Sequence, residues 1–135
     1  MAATLKLEIV TPDARTFSDD VEMVILPGSE GEMGVYPNHV PLMTQISAGE
    51  VVARKEGKDV SLAVGEGFVQ ITPDHVSIIT DMAILAENID EAQAEAARRR
   101  AEARLSEKLT DEEAAAASAA LAQSLAQLKV KRRNR

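Results

Sequence analysis

One break in composition constrains this 135-residue chain more than any other feature. All seven Gly, all five Pro and the three aromatic residues Phe17, Tyr36 and Phe68 precede residue 74. Beyond residue 88 the sequence is dominated by Ala, Glu, Arg, Gln and Leu. Gly and Pro are the poorest helix formers and Ala the best, so the two stretches demand different secondary structure. The chain divides into a turn-rich part, residues 1–87, and a helical part, residues 88–135.

Within the first part, apolar residues recur with period two. Leu5, Leu7 and Ile9 share one face while Lys6 and Glu8 take the other. Val21, Met23 and Ile25 repeat the pattern, as do Val60, Leu62 and Val64, then Val76 and Ile78. Such alternation makes half-buried strands. Turn signals separate them at Thr11-Pro12-Asp13, Pro27-Gly28-Ser29, Ser47-Ala48-Gly49, Glu56-Gly57-Lys58 and Thr72-Pro73-Asp74-His75. Many short strands with regular turns predict an all-β sandwich or barrel, with no helix before residue 88.

The second part predicts an α-helical hairpin of two antiparallel helices. Asn88 or Asp90 can cap the first helix, with Glu91 or Gln93 reaching back. Asp90, Glu91 and Glu95 near its start, and Arg98, Arg99, Arg100 and Arg104 further along, suit the helix dipole. The helix should stop between Ser106 and Thr110, where Thr110-Asp111-Glu112-Glu113 offers a capping box for the second. Ala94, Ala97, Ala101 and Leu105 form one stripe; Ala114, Ala117, Leu121, Leu125 and Leu128 form the other. Ala permits close approach but buries little area at ~25 cal/mol per Å², so the hairpin is expected to be strongly helical and weakly attached.

The net charge is −7. An acidic chain this poor in aromatics neither holds a phosphate backbone nor stacks bases, which excludes nucleic-acid binding as its main role. Without Cys there are no disulfides and no thiolate ligands, and two His without an acidic spacing motif predict no metal site. No cofactor is expected. The apolar runs fall well short of the ~20 residues that cross a bilayer, and Met1-Ala2-Ala3-Thr4 carries no secretion signal.

The segment Gly28-Ser29-Glu30-Gly31-Glu32-Met33-Gly34-Val35-Tyr36-Pro37-Asn38-His39-Val40-Pro41-Leu42 is the most unusual in the chain. Its Gly residues permit tight turns with positive φ and its Pro residues fix the turn that follows. Glu30, Glu32, Met33, Tyr36 and His39 are expected to project from one long loop, with Tyr36 packed against it. His75 is expected to be structural or solvated. This order, G-S-E-G-E-hydrophobic-G-hydrophobic-Y-P-x-H-x-P-L, resembles the signature of the epsilon subunits of bacterial F-type ATP synthases. The resemblance continues through Thr44, Ile46, Gly49 and Val51, through Gly65-Glu66-Gly67-Phe68 and through Ile89-Asp90-Glu91-Ala92. With the opening Leu-x-hydrophobic-Val-Thr-Pro segment and Phe17 it spans nearly the whole chain in order.

The resemblance implies a non-catalytic rotor subunit, peripheral at the cytoplasmic face of the bacterial inner membrane. Its sandwich would bind the gamma subunit on one side and the polar loops of the c-ring on the other. By motif position, Glu30, Glu32, Met33 and His39 are the candidate ring contacts, the acids complementing basic and polar loops. The arm would fold beside the sandwich, or extend into the catalytic head and block ATP hydrolysis. Arg98, Arg99, Arg100 and Arg104, and Lys129, Lys131, Arg132, Arg133 and Arg135, would then be electrostatic latches on the acidic alpha and beta catalytic subunits. Some such subunits sense ATP through an I/L-D-x-x-R-A motif. Here Asp90 is present but Gln93 replaces the Arg, and no charge lies between Glu113 and Lys129, so tight ATP binding is not expected.

The residues alone leave blander readings open. His39 can be a loop residue bonding carbonyls, the Arg98–Arg100 run a solvated helix face, and the basic end a solubilising tail. The chain as a whole can be a β-sandwich adaptor with an oligomerisation arm. A hydrolase based on His39, or on a Glu30 and Glu32 pair, lacks a nucleophile to complete the set. Gly31, Gly34, Gly65 and Gly67 lack the strand–loop–helix context of a phosphate cradle.

Overall fold

The computed structural model describes residues 3–134; Arg135, the end of the basic cluster, and the Met1-Ala2 start lie outside them. Ten strands come first: β1 (Leu5–Val10), β2 (Arg15–Val21), β3 (Met23–Gly28), β4 (Gly31–Val35), β5 (Leu42–Ile46), β6 (Gly49–Lys55), β7 (Lys58–Val64), β8 (Gly67–Thr72), β9 (His75–Thr80) and β10 (Ala83–Leu85). A 3-10 turn, Ala86–Asn88, leads into α1 (Glu91–Leu105) and α2 (Asp111–Arg133).

The strands form one sheet in the order β10-β7-β6-β3-β5-β8-β9-β1-β2, with β4 paired to β3. The β1–β9 pair is parallel and the others antiparallel. The sheet folds over on itself into the expected sandwich, and a Lys55–Asp19 ion pair joins β6 to β2 where the layers meet. The Lys55 ammonium holds the Asp19 carboxyl below its ordinary range. Leu5, Leu7 and Ile9 interdigitate with Val24, Leu26, Leu62, Val69, Ile71, Val76 and Ile78 in one core, as their alternation predicts.

The alternation expected through Val21, Met23 and Ile25 breaks at Glu22. The chain bends there between β2 and β3, with the Glu22 amide bonded to the Arg54 carbonyl and its carboxylate accepting from the Gly57 amide. Inward parity shifts by one, so Val21, Val24 and Leu26 are buried while Met23 and Ile25 are only partly so. Residues 28–42 also differ from the expected single loop. Residues 31–35 are strand β4, which forms a two-residue hairpin with β3 across Ser29 and Glu30. Only Gly31 of its three glycines has positive φ, at 129°, where side chains are disfavoured.

The strand pairing sorts the connections to two ends of the sandwich. Turns 29–30, 47–48, 65–66 and 81–82 gather at one. Turns 56–57 and 73–74 and the loop 36–41 gather at the other, where the Asn38 amide bonds the Pro73 carbonyl at 2.6 Å.

The helices are capped much as the sequence predicts. Asp90 accepts from the Gln93 amide at 3.0 Å, and Thr110 and Glu113 form a reciprocal capping box at 3.2 and 3.1 Å. Arg132 pairs with Glu91 and Arg104 with Glu113, one ion pair near each end of the antiparallel hairpin. Leu125 does not join the seam: it is exposed, while Ala117, Ser124, Ala126, Leu128 and Val130 are the buried residues of α2. The reason is that α2 packs on β6 and β7 as well as on α1, which widens its buried arc and turns Leu125 to solvent. The same cover buries Ser61, Leu62, Ala63 and Val64 consecutively, so β7 is enclosed on both faces.

Candidate functional site

The two outer faces of the sandwich differ. The arm covers β6 and β7. The opposite face, made by β5, β8, β9 and β1, carries Met43, Phe68 and Ile79 at 67, 53 and 60% exposure. Phe68 and Ile79 stand directly opposite each other, with Gln45 and Val10 continuing their row onto β5 and β1. Their inward neighbours Val69 and Ile78 are fully buried. A solvated antiparallel face is usually polar, and a contiguous apolar row marks a contact surface. The site residues named from sequence do not include these three. The available signal was Phe68-Val69 and Ile78-Ile79: apolar residues on both parities of short strands that have no second layer to cover them.

The acidic hairpin lies at one end of this face. Glu30 and Glu32 are exposed, and Met33 packs partly against the core. Glu66 and Asp81 stand exposed on turns at the same end. They share a cleft of about 450 Å³ with Ser29, Ser47, Gly67 and Phe68. The acidic end and the apolar face therefore meet at Phe68. His39 is not brought to this group. The 36–41 loop sits at the other end of the sandwich, a full strand away, where His39 Nδ1 donates to the Val40 carbonyl at 2.6 Å. Tyr36, expected to pack against its loop, is 63% exposed, because Val35 takes the inward position beside it. His75 is half-buried at the start of β9. Among the described residues no group of three or more His, Asp and Glu is placed to hold a metal ion.

The basic residues are largely engaged within the chain. Arg98 pairs with Glu95 and Glu102, Arg99 with Glu95, and Arg104 with Glu107 and Glu113. The Glu95 and Glu102 carboxylates raise the Arg98 pKa further above its already high ordinary value. Lys131 reaches the Ala86 carbonyl, Arg132 pairs with Glu91 and Glu95, and Arg133 with Glu50. Arg100 and Lys129 make no ion pair among the described residues; Arg100 lines a cleft of about 530 Å³ with Asn88, Asp90, Gln93 and Gln127. In that cleft Asp90 is already occupied as the α1 cap.

A sandwich with a helical hairpin on one face and bare apolar strands on the other defines a subunit of attachment surfaces. The chain belongs to the ATP synthase delta/epsilon chain family: the β-sandwich domain of that family matches residues 4–86 and its long α-helix domain residues 87–132. It is 41% identical over 129 residues to the ATP synthase epsilon chain of Laribacter hongkongensis, covering 94% of this chain and 92% of that one. With the epsilon chain of Ruminiclostridium cellulolyticum it shares 43% over 133 residues, covering 98 and 99%. With that of Bacillus subtilis it shares 42% over 108 residues, covering 80 and 82%. Among solved structures, a chain of the Euglena gracilis mitochondrial ATP synthase, OSCP/F1/c-ring, matches with a TM-score of 0.76 at 25% identity, over 94% of this chain and 80% of that one. A chain of the Tetrahymena thermophila mitochondrial ATP synthase central stalk and c-ring shares the fold at 11% identity and a TM-score of 0.66, over 96 and 97%. The fold and family expected from the sequence both hold.

Proposed function

We propose that this chain fastens the gamma subunit to the c-ring in the central stalk and catalyses no reaction of its own. The observation that carries this is the uncovered pair Phe68 and Ile79, with Met43 exposed on the same face, which the arm leaves open. That face is the dock for gamma: burial of Phe68 and Ile79 supplies affinity at ~25 cal/mol per Å². The acidic end, with Glu30 and Glu32 exposed and Met33 bracing the hairpin, meets the polar loops of the ring. Glu66 and Asp81 extend it. Exposed carboxylates contribute little energy each, so this contact sets orientation and partner choice more than strength. His39, at the other end, falls outside it. A close-packed sandwich resists shear, which torque transfer requires.

The division of labour follows the chain. Residues 1–87 hold gamma and ring, and residues 88–135 form a regulatory arm whose arginines engage the alpha and beta subunits when it extends. Location at the cytoplasmic face of the inner membrane comes through the complex; no helix among the described residues is long and apolar enough to cross a membrane. Gln93 gives a phosphate no charge and leaves Arg100 as the one cation lining the Asp90 cleft, so ATP binding there stays weak. Micromolar ATP affinity by calorimetry would overturn that last point.

The test is co-purification with gamma. Phe68→Ser combined with Ile79→Ser changes two exposed positions, so the melting temperature should hold while the gamma complex is lost. A double variant that still forms a stable complex with gamma removes this face from the interface.

A further inference from the structure

The last turn of α2 is tied in three directions by consecutive residues. Lys131 Nζ reaches the Ala86 carbonyl at 3.5 Å, in the segment joining arm to sandwich. Arg132 bonds Glu91 at 3.0 Å and Glu95 at 3.4 Å, both on α1. Arg133 forms a two-pronged contact with Glu50 on β6, 2.7 Å to each oxygen, and Asn134 Nδ2 adds a bond to the same carboxylate at 3.0 Å. Of these ties, the Glu50 limb alone runs from the hairpin to the body of the sandwich.

Glu50 is built to receive it. Its side chain is 13% exposed. Burial pushes its carboxyl up, but hydrogen bonds from Arg133, Asn134 and Ser61 outweigh that and hold it below the ordinary range. Beside it, a cleft of about 450 Å³ also gathers Glu32, Asp59, Lys129 and Arg133. The apolar part of the same dock is small. Val130 is buried with Ala63 and Ile89, flanked by Met82, Ile84 and Ala86, in a cluster separate from the main core. Where apolar contact is slight, a two-pronged charge-assisted pair carries a larger share of the attachment. Arg133 is half exposed, so salt reaches the pair.

We infer that Glu50 is the receptor of a charge clasp that sets how much of the time the helical hairpin stays on the sandwich. The hairpin leaves as one body about residues 86–90, breaking Arg133–Glu50 while keeping Arg132–Glu91 and Arg104–Glu113. This rests on reading the hairpin as a detachable arm.

The experiment uses the full chain, which has no native Cys, with spin labels on the exposed positions Lys58→Cys and Ser118→Cys and the distance distribution read at low and high salt. Without further change the label pair should give one narrow distance at low salt, with a longer population growing in as salt rises. Glu50→Gln should raise the open-to-closed ratio about tenfold at low salt and flatten its salt response. Arg133→Lys should fall between the two, and Glu50→Arg combined with Arg133→Glu should restore closure. Val130→Ser, which loosens the apolar anchor, separates the two levels of the claim. An arm that opens in Val130→Ser but not in Glu50→Gln overturns the clasp and leaves the detachable arm standing. An arm closed in both overturns the detachable arm itself. Opening of Glu50→Gln without rescue by the charge swap assigns the effect to fold damage and overturns the clasp.

Discussion

At the β9–β10 corner, single residues carry the architecture. The buried Thr80 hydroxyl lies 2.9, 3.0 and 3.3 Å from the carbonyls of Gly65, Glu66 and Met82, and its one proton serves one of them at a time. Above it, a Cβ on Gly67 would lie 2.0 Å from the Ile79 carbonyl, a backbone atom with no freedom to yield. Thr80→Val should therefore cost about 1–3 kcal/mol by stranding the buried Gly65 carbonyl, while Thr80→Ser should be nearly neutral. Gly67→Ala should cost at least about 2 kcal/mol, read as a lower urea midpoint. An unchanged midpoint for Gly67→Ala would show that the strands can part without penalty. The Gly65-Glu66-Gly67-Phe68 run was visible in the sequence, but its reason was not, since the crowding comes from the neighbouring strand β9. Glu50 was less visible still. Its partner Arg133 is 83 positions away, and no local pattern marks an acid between two strand residues as a receptor.

Elements were legible wherever local chemistry decides them. The capping box at Thr110 and Glu113, the five turn signals and the alternation of β1 and β9 all reappear in the structure, whereas β7, expected to be half-buried, is covered on both faces by the arm. What failed depended on distant packing. The bend at Glu22 is held by Arg54 and Gly57 on another hairpin, and Leu125 turns outward because α2 has two neighbours instead of one. Strand β4 hid behind glycines that usually signal a loop, and with it went the placement of His39 at the far end. The capping box also yields a pH dependence. The Thr110 amide, then its hydroxyl, then Arg104 hold the Glu113 carboxyl below its ordinary range. A carboxyl lowered by folding stabilises at pH values above its unfolded pKa, and that support is lost as pH falls through the folded value. Amide protection in the first turn of α2, taken relative to the intrinsic exchange rate at each pH, should thus hold at neutral pH and fall below the ordinary glutamate range. Thr110→Ala should weaken the helix start by about 1 kcal/mol and blunt that pH response. An identical pH profile in the variant would assign the response to other carboxylates.

At the scale of the molecule, the two parts are unequal in self-sufficiency. The sandwich holds its own core from Leu5 to Ile78 and needs nothing from the arm to bury it. The arm holds its hairpin together by ion pairs at both ends and by buried alanines, and owes its place to Val130 and Glu50. Deleting residues 88–135 therefore removes one small apolar cluster, a loss on the order of 2 kcal/mol, and leaves Glu50 open to water, where a carboxylate needs no partner. The bare patch of Met43, Phe68 and Ile79 lies on the face the arm leaves open, so its geometry should survive the deletion. The truncated chain should accordingly melt a few degrees lower yet bind gamma with unchanged affinity, measured by titration calorimetry against the full chain. A large fall in affinity with the sandwich still folded would mean that the arm itself contacts gamma, and that attachment and regulation are not divided near residue 88.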